Sequence, residues 1–206
     1  MQDPNDWRYD GVYGVAAAGL ITGYDNGLFG VDDSLSTAQL ITILWRYAEP
    51  EASSNTDPSA VLNKTYLIDV EDFQYYTAAV NWAFENGVVH GMQTPQGYIL
   101  DPNSPVSTER AMTILANYLT KDEPAMSAQE VDGFLLKCTD GSSVSEWARP
   151  SMAWALKTRM ISGYDTASGR EIRPWENIAR GRFAVILNNG METGALPPNN
   201  PGIIPD

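Results

Sequence analysis

Cysteine and histidine are almost missing from this chain: Cys138 and His90 each stand alone. A single cysteine excludes an internal disulfide and a cysteine metal cluster, and a single histidine excludes any metal site with two imidazole ligands. Basic residues are scarce as well, 13 Lys and Arg against 26 Asp and Glu, for a net charge of −13. Nucleic-acid binding, which needs a basic footprint against phosphates, is therefore not expected. No apolar run approaches the ~18 residues of a membrane-spanning helix, so membrane insertion is not expected either. The start, Met1-Gln-Asp-Pro, has neither a basic region nor an apolar stretch, which places any secretion signal outside this chain. Such cysteine-poor composition fits the cytosol and the bacterial surface equally. Catalytic signatures are missing too: there is no Gly-x-Ser-x-Gly, no phosphate-cradling glycine loop and no His-Glu-x-x-His. The many carboxylates offer pairs for glycoside hydrolysis, but no pattern singles one out, so the chain reads as a non-enzyme without a cofactor.

What is present is a sentence repeated three times. With 43% hydrophobic and 10% aromatic residues among 206, a real core is affordable. Trp7, Tyr75 and Trp147 each open a helical stretch that closes twelve residues later at Gly19, Gly87 and Arg159. From those positions the chain reads Gly-Leu-Ile-Thr-Gly23-Tyr24, Gly-Val-Val-His-Gly91-Met92 and Arg-Met-Ile-Ser-Gly163-Tyr164. The turn glycines are 68 and 72 residues apart, and the starts of three second helices, at Leu35, Val106 and Ile178, are 71 and 72 apart. Self-similarity at one period means copies of one supersecondary unit.

Each copy predicts a helix, a tight turn, a short extended piece and a second helix. Asp6 is placed to cap the first helix, whose stripe is Trp7, Val12, Val15 and Ala16; Gly11 and Gly14 weaken it by about 1 kcal/mol each, so packing must hold it. Asn26-Gly27, Gln96-Gly97 and Ser168-Gly169 mark the tips of two-stranded ribbons. Trp45, Trp82 and Trp154 sit where helices pack. The organisation expected is a first repeat over 4–49, a connector over 50–65, a second repeat over 66–121, a connector over 122–133 holding the capping box Ser127-x-x-Glu130, a third repeat over 134–190, and a proline-rich tail over 191–206.

The aromatic opening, the Gly-Ile-Ile-x-Gly-Tyr turn and the second-helix start resemble S-layer homology domains, and the likeness runs over about residues 4–190. That resemblance implies a mainly α fold, three tandem helix-turn-helix repeats in pseudo-threefold arrangement with short β-ribbon turns, helices meeting at a centre and grooves between neighbours. It implies an extracellular place on the bacterial cell wall or S-layer. The partner it implies is a secondary cell-wall polysaccharide, often carrying a pyruvate ketal, which tethers the parent protein non-covalently.

In that family the second helix begins Ile-Thr-Arg-Ala-Glu, where Thr-x-x-Glu is a capping box and only the Arg is free for a ligand. Here the first copy has Leu35-Ser-Thr37-Ala-Gln39, the second Val106-Ser-Thr108-Glu-Arg110, and the third Ile178-Ala-Arg180-Gly-Arg182. The Arg survives at its expected place only as Arg180, so two of three anion sites read as disabled. Residues 137–206 also hold eight Lys and Arg against seven acids, whereas residues 1–136 hold five against 19. The glycan site is therefore expected mainly in the third repeat: Arg180, Arg182 and Arg173 at a helix start whose free N–H groups suit a carboxylate, Gly163 and Tyr164 at the turn, and Trp147 under a sugar ring. Trp7, Tyr75, Thr37 and Thr108 are the corresponding, weaker candidates elsewhere. Two alternatives stand beside this reading. Arg170, Arg173, Arg180 and Arg182 could pair with internal acids such as Glu171 and Glu176, and the chain could be a structural or protein-binding module that has lost glycan chemistry.

Overall fold

The computed structural model describes residues 3–24, 26–121 and 124–197; the turn position 25, the start of the second connector and the proline tail from 198 lie outside the described residues. The order is α1 (Tyr9–Ala17), α2 (Thr37–Ala48), α3 (Pro50–Asn55), α4 (Thr77–Glu85), β1 (Met92–Thr94), β2 (Gly97–Ile99), α5 (Thr108–Thr120), α6 (Ala128–Leu135), α7 (Arg149–Lys157), β3 (Tyr164–Thr166), β4 (Gly169–Glu171) and α8 (Arg180–Thr193). The protein is mainly helical, and the three-copy pattern of the sequence is visible in the elements themselves.

Each first helix starts two residues after its aromatic, because Trp7, Tyr75 and Trp147 lie in the turn ahead of α1, α4 and α7. Asp6 does not cap α1 in the usual sense. Its carboxylate accepts from the Arg8 backbone N–H at 2.9 Å and from the Arg8 guanidinium at 2.8 Å, two residues ahead of the capping position, which Arg8 itself holds. The helices end at Gly19, Gly87 and Arg159, all left-handed with φ of 69°, 68° and 61°. The second and third copies then form antiparallel hairpins around the expected turn tips, with Met92 opposite Ile99 and Tyr164 opposite Glu171. In the first copy the described residues form a closed turn instead, with the Tyr24 N–H on the Leu28 carbonyl at 2.8 Å.

The starts of α2, α5 and α8 meet on the pseudo-threefold axis. Leu35, Val106 and Ile178, none of them exposed, close a cycle of backbone hydrogen bonds: Leu35 donates to Ile178, Ile178 to Val106 and Val106 to Leu35, each at 2.9 Å. Around that cycle the first two N–H groups of each second helix donate to the loop of another copy. Thr37 and Ala38 reach the Ser104 and Pro102 carbonyls, Thr108 and Glu109 reach Glu176 and Pro174, and Arg180 and Gly181 reach Asp33 and Val31. The third N–H is capped by Ser36, in a full capping box with Gln39, and by Ser107; Ala179 offers no such cap to α8.

First helices dock in the same cyclic sense, α4 on α2, α7 on α5, and α1 back on α8. This explains the glycines of α1. A Cβ at Gly11 would stand 2.7 Å from the Val185 Cα, and one at Gly14 would stand 2.3 Å from the Asn188 Oδ1. The helix gives up propensity so that the first and last repeats can touch. One hydrophobic core runs through all three copies, with Trp45 inside it and Trp82 and Trp154 packed against it.

Candidate functional site

The cyclic docking leaves three equivalent grooves, each built from the turn and second helix of one copy and closed by the opening aromatic of the next. Groove one holds Thr22, Gly23, Tyr24, Gln39 and Arg46 with Tyr75. Groove two holds His90, Gly91, Arg110 and Asn117 with Trp147. Groove three holds Gly163, Tyr164, Arg182 and Asn189 with Trp7. Their cavities measure about 150, 420 and 50 Å³ in that order. Only groove two reaches the ~300 Å³ at which small-molecule sites begin.

The three aromatics are groove-edge residues and not core: Trp7 is 60% exposed, Tyr75 50% and Trp147 55%. An indole or phenol held this way presents a flat apolar face with a polar tip.

Each groove receives one guanidinium at the axis, from one of two positions. In grooves two and three it is the third helical residue of the groove's own helix, Arg110 or Arg182. Gln39 occupies that position in groove one and is consumed by its capping box, with Oε1 accepting from the Ser36 N–H at 2.9 Å. Arg180, the first helical residue of α8, reaches into groove one from the third repeat instead. Thr37 and Thr108 stand at the equivalent of Arg180. Thr108 Oγ1 accepts from Arg182 at 3.1 Å, whereas Thr37 Oγ1 is buried without a hydrogen-bond partner.

The environment of these guanidiniums is unusual for buried charge. Arg180 is 6% exposed and donates to the Phe29 and Thr22 carbonyls, both at 3.0 Å, under the rings of Tyr24 at 4.7 Å and Phe29 at 5.3 Å. Arg182 is 9% exposed, donates to Thr108 and to the Ile172 carbonyl at 3.2 Å, and lies 4.7 Å from the Tyr164 ring. Half-buried Arg110 donates to the Leu100 carbonyl. Among the described residues the ion pairs involve Arg8, Arg149, Lys157, Arg170 and Arg173, and none of the three groove arginines. Burial pushes the pKa of Arg182 and Arg110 below the ordinary guanidinium value, although a guanidinium keeps its proton in proteins. Carbonyl dipoles and ring faces hold these cations, so their net charge remains. Carboxylates act on Arg110 and Arg182 only from a distance, Asp101 and Asp69 on the first and Glu176 and Asp140 on the second, and in groove one burial and then the Asp33 carboxylate raise the Tyr24 hydroxyl.

These contacts revise the site read from the sequence in three respects. Arg180, Arg182 and Trp147 do not form one cluster; they serve grooves one, three and two, so the third repeat contributes to every groove. The first N–H groups of α8 are not open to an anion, because Arg180 and Gly181 give theirs to Asp33 and Val31. Finally, Arg173 pairs with Glu171 at 3.2 Å and Glu176 at 3.5 Å, stacking on Tyr164 at 4.4 Å, and Arg170 pairs with Asp165 at 3.2 Å. The four arginines thus divide into two paired and two unpaired. Arg110 and Arg46 were missed, though the 71- and 72-residue spacing aligns Gln39, Arg110 and Arg182 and could have found the first of them.

Comparison with known proteins gives two findings. Residues 2–41 match the family model described as the S-layer homology domain. Over 183 residues the chain is 25% identical to the Surface-layer 125 kDa protein of Lysinibacillus sphaericus, a stretch that covers 89% of this chain and 14% of that protein. The chain thus spans a small part of the relative it matches.

Proposed function

We propose that this chain, which belongs to the S-layer homology domain family, anchors its parent protein to the bacterial cell surface by binding an acidic wall polysaccharide in the grooves between repeats. The observation that carries this reading is the pairing, in every groove, of a guanidinium lacking an acidic partner with an exposed aromatic from the adjoining repeat. Holding an ion away from water costs several kcal/mol, and because carboxylates such as Asp101 and Asp69 near Arg110, or Glu176 and Asp140 near Arg182, act only from beyond ion-pair distance, part of that cost is left for a ligand to offset. A sugar carboxylate, such as a pyruvate ketal, satisfies a forked guanidinium in two parallel hydrogen bonds while its ring lies on the aromatic.

Groove two has the room, and Trp147 with Arg110 would hold a ring there. Arg180 and Arg46 in groove one, and Arg182 with Trp7 and Tyr164 in groove three, would take narrower acidic substituents. Because Trp147, Arg180 and Arg182 all belong to the third repeat, that repeat supplies most of the contacts. A chain of net charge −13 would reject a polyanion in general, so recognition has to be local to these grooves.

Co-sedimentation with wall sacculi tests the reading. Binding to native sacculi and its loss once the attached polysaccharide is stripped is the expected pair of results. Equal retention on stripped sacculi, or no retention on either, would favour a protein partner at the surface and end the glycan proposal.

A further inference from the structure

A further cavity, about 330 Å³, lies behind groove three, within the third repeat. Its floor is apolar: Phe134, Leu156, Ile161 and the buried thiol of Cys138. Its rim carries three cations, Lys137, Arg159 and Arg170. In a chain with 13 basic residues and 26 acidic ones, three cations around one hollow form a local reversal of sign. Arg170 spends part of its charge on Asp165 at 3.2 Å, and the Lys137 ammonium stands 4.5 Å from the Phe134 ring; Asp140, also nearby, turns its carboxylate to the Ile172 and Arg173 N–H groups at 2.9 and 2.7 Å.

Backbone strain adds an independent observation. Arg159 closes α7 in the left-handed region at φ 61°, at the position filled by Gly19 and Gly87 in the other copies. Glycine adopts that conformation freely and a residue with a Cβ does not, so the third copy carries local strain, of the kind also found at Phe73, Asp101, Lys121 and Arg173, at an arginine on the mouth of the cavity. No ion pair or hydrogen bond of its side chain explains its presence.

We propose that this cavity binds a phosphate ester with a small sugar-like or polyol body. Two guanidiniums and an ammonium match the two charges and three oxygens of a phosphoryl group better than a single carboxylate, and the floor of Phe134, Leu156 and Ile161 suits a carbon skeleton. The site backs onto groove three through Ile161 and Ser162 but shares none of that groove's cations, so it stands or falls separately from the glycan reading.

The test is a titration of the isotope-labelled chain with glycerol 3-phosphate at constant ionic strength, followed by backbone chemical shifts, with glucuronate as the carboxylate comparison. Saturable shifts confined to residues 134–139, 156–162 and 168–170 are expected, with glucuronate weaker. Arg159→Gly should keep or raise the melting temperature, since it removes strain, and should weaken binding about tenfold through loss of a charged hydrogen bond. Shifts that do not saturate, glucuronate binding as tightly, undiminished binding by the Arg159→Gly chain, or a lower melting temperature for it would each overturn the proposal.

Discussion

Replacing Gly11 by alanine in α1 should destabilise the protein even though alanine is the better helix former. Taken alone, the helix would gain about 1 kcal/mol. In the closed ring, however, the new Cβ stands 2.7 Å from both the Val185 Cα and its Cγ2, and one of these is backbone that cannot rotate away. Overpacking of that kind costs about 1–3 kcal/mol, and the seam between α1 and α8 has to open to relieve it. The net loss is then up to about 2 kcal/mol, or up to about 8 °C in melting temperature for a chain of this length. Gly133 provides the internal comparison. It is exposed on α6, and a Cβ there meets nothing within 4 Å, so Gly133→Ala should gain up to about 1 kcal/mol and raise the melting temperature by about 2–4 °C. Differential scanning calorimetry of the two variants reads opposite signs if the first repeat closes onto the last. A Gly11→Ala protein stabilised like Gly133→Ala would mean that α1 does not touch α8 at backbone distance, and the ring would be refuted.

Other expectations follow from the same contacts. Ser107→Ala should cost about 1 kcal/mol by removing the acceptor of the Arg110 N–H, while Ala179→Ser should add about 0.5–1 kcal/mol by supplying the cap that α8 lacks; urea unfolding checks both. Trp147→Ala should leave the melting temperature nearly unchanged, because the indole is more than half exposed, yet reduce retention on sacculi about three- to tenfold; full retention would remove the sugar from groove two. Asp6 is held at about 2, below its ordinary 3.8, by hydrogen bonds from Arg8. Its contribution to stability is therefore complete above about pH 4 and disappears as the pH falls through 2, so the Asp6→Asn chain should show a shallower loss of melting temperature across that window.

The repeats, the caps of α2, α5 and α6 and two of the three hairpins could be read from the sequence because each is a local matter. A Ser three residues before a Gln or Arg N–H, or a Gln-Gly at a ribbon tip, settles its own backbone. Even the docking of α1 left a trace, since two glycines in a helix that survives must be compensated by packing. What could not be read is which groove each side chain enters. Arg180 and Arg182 are two residues apart, yet a helix turns by about 200° over two residues and sends them to different grooves. The filling of helix-start N–H groups by carbonyls such as Asp33, Val31 and Pro102 depends on contacts across 60 residues or more, and no periodicity reports it. Composition was also misleading about charge. A cluster of four arginines in one stretch of sequence separates in space into Arg170 and Arg173, each with a carboxylate 3.2 Å away, and Arg180 and Arg182, which have none within ion-pair distance.

The grooves can be watched directly through the six indole N–H signals of the chain as a pyruvylated wall-glycan fragment is added. Trp7 and Trp147, at the edges of grooves three and two, should shift and saturate together with the Nε–H signals of Arg110, Arg180 and Arg182, while Trp45, Trp82, Trp154 and Trp175 stay in place. Shifts confined to Trp45, Trp82, Trp154 or the exposed Trp175, or none at any of the six with the glycan in excess, would contradict the account.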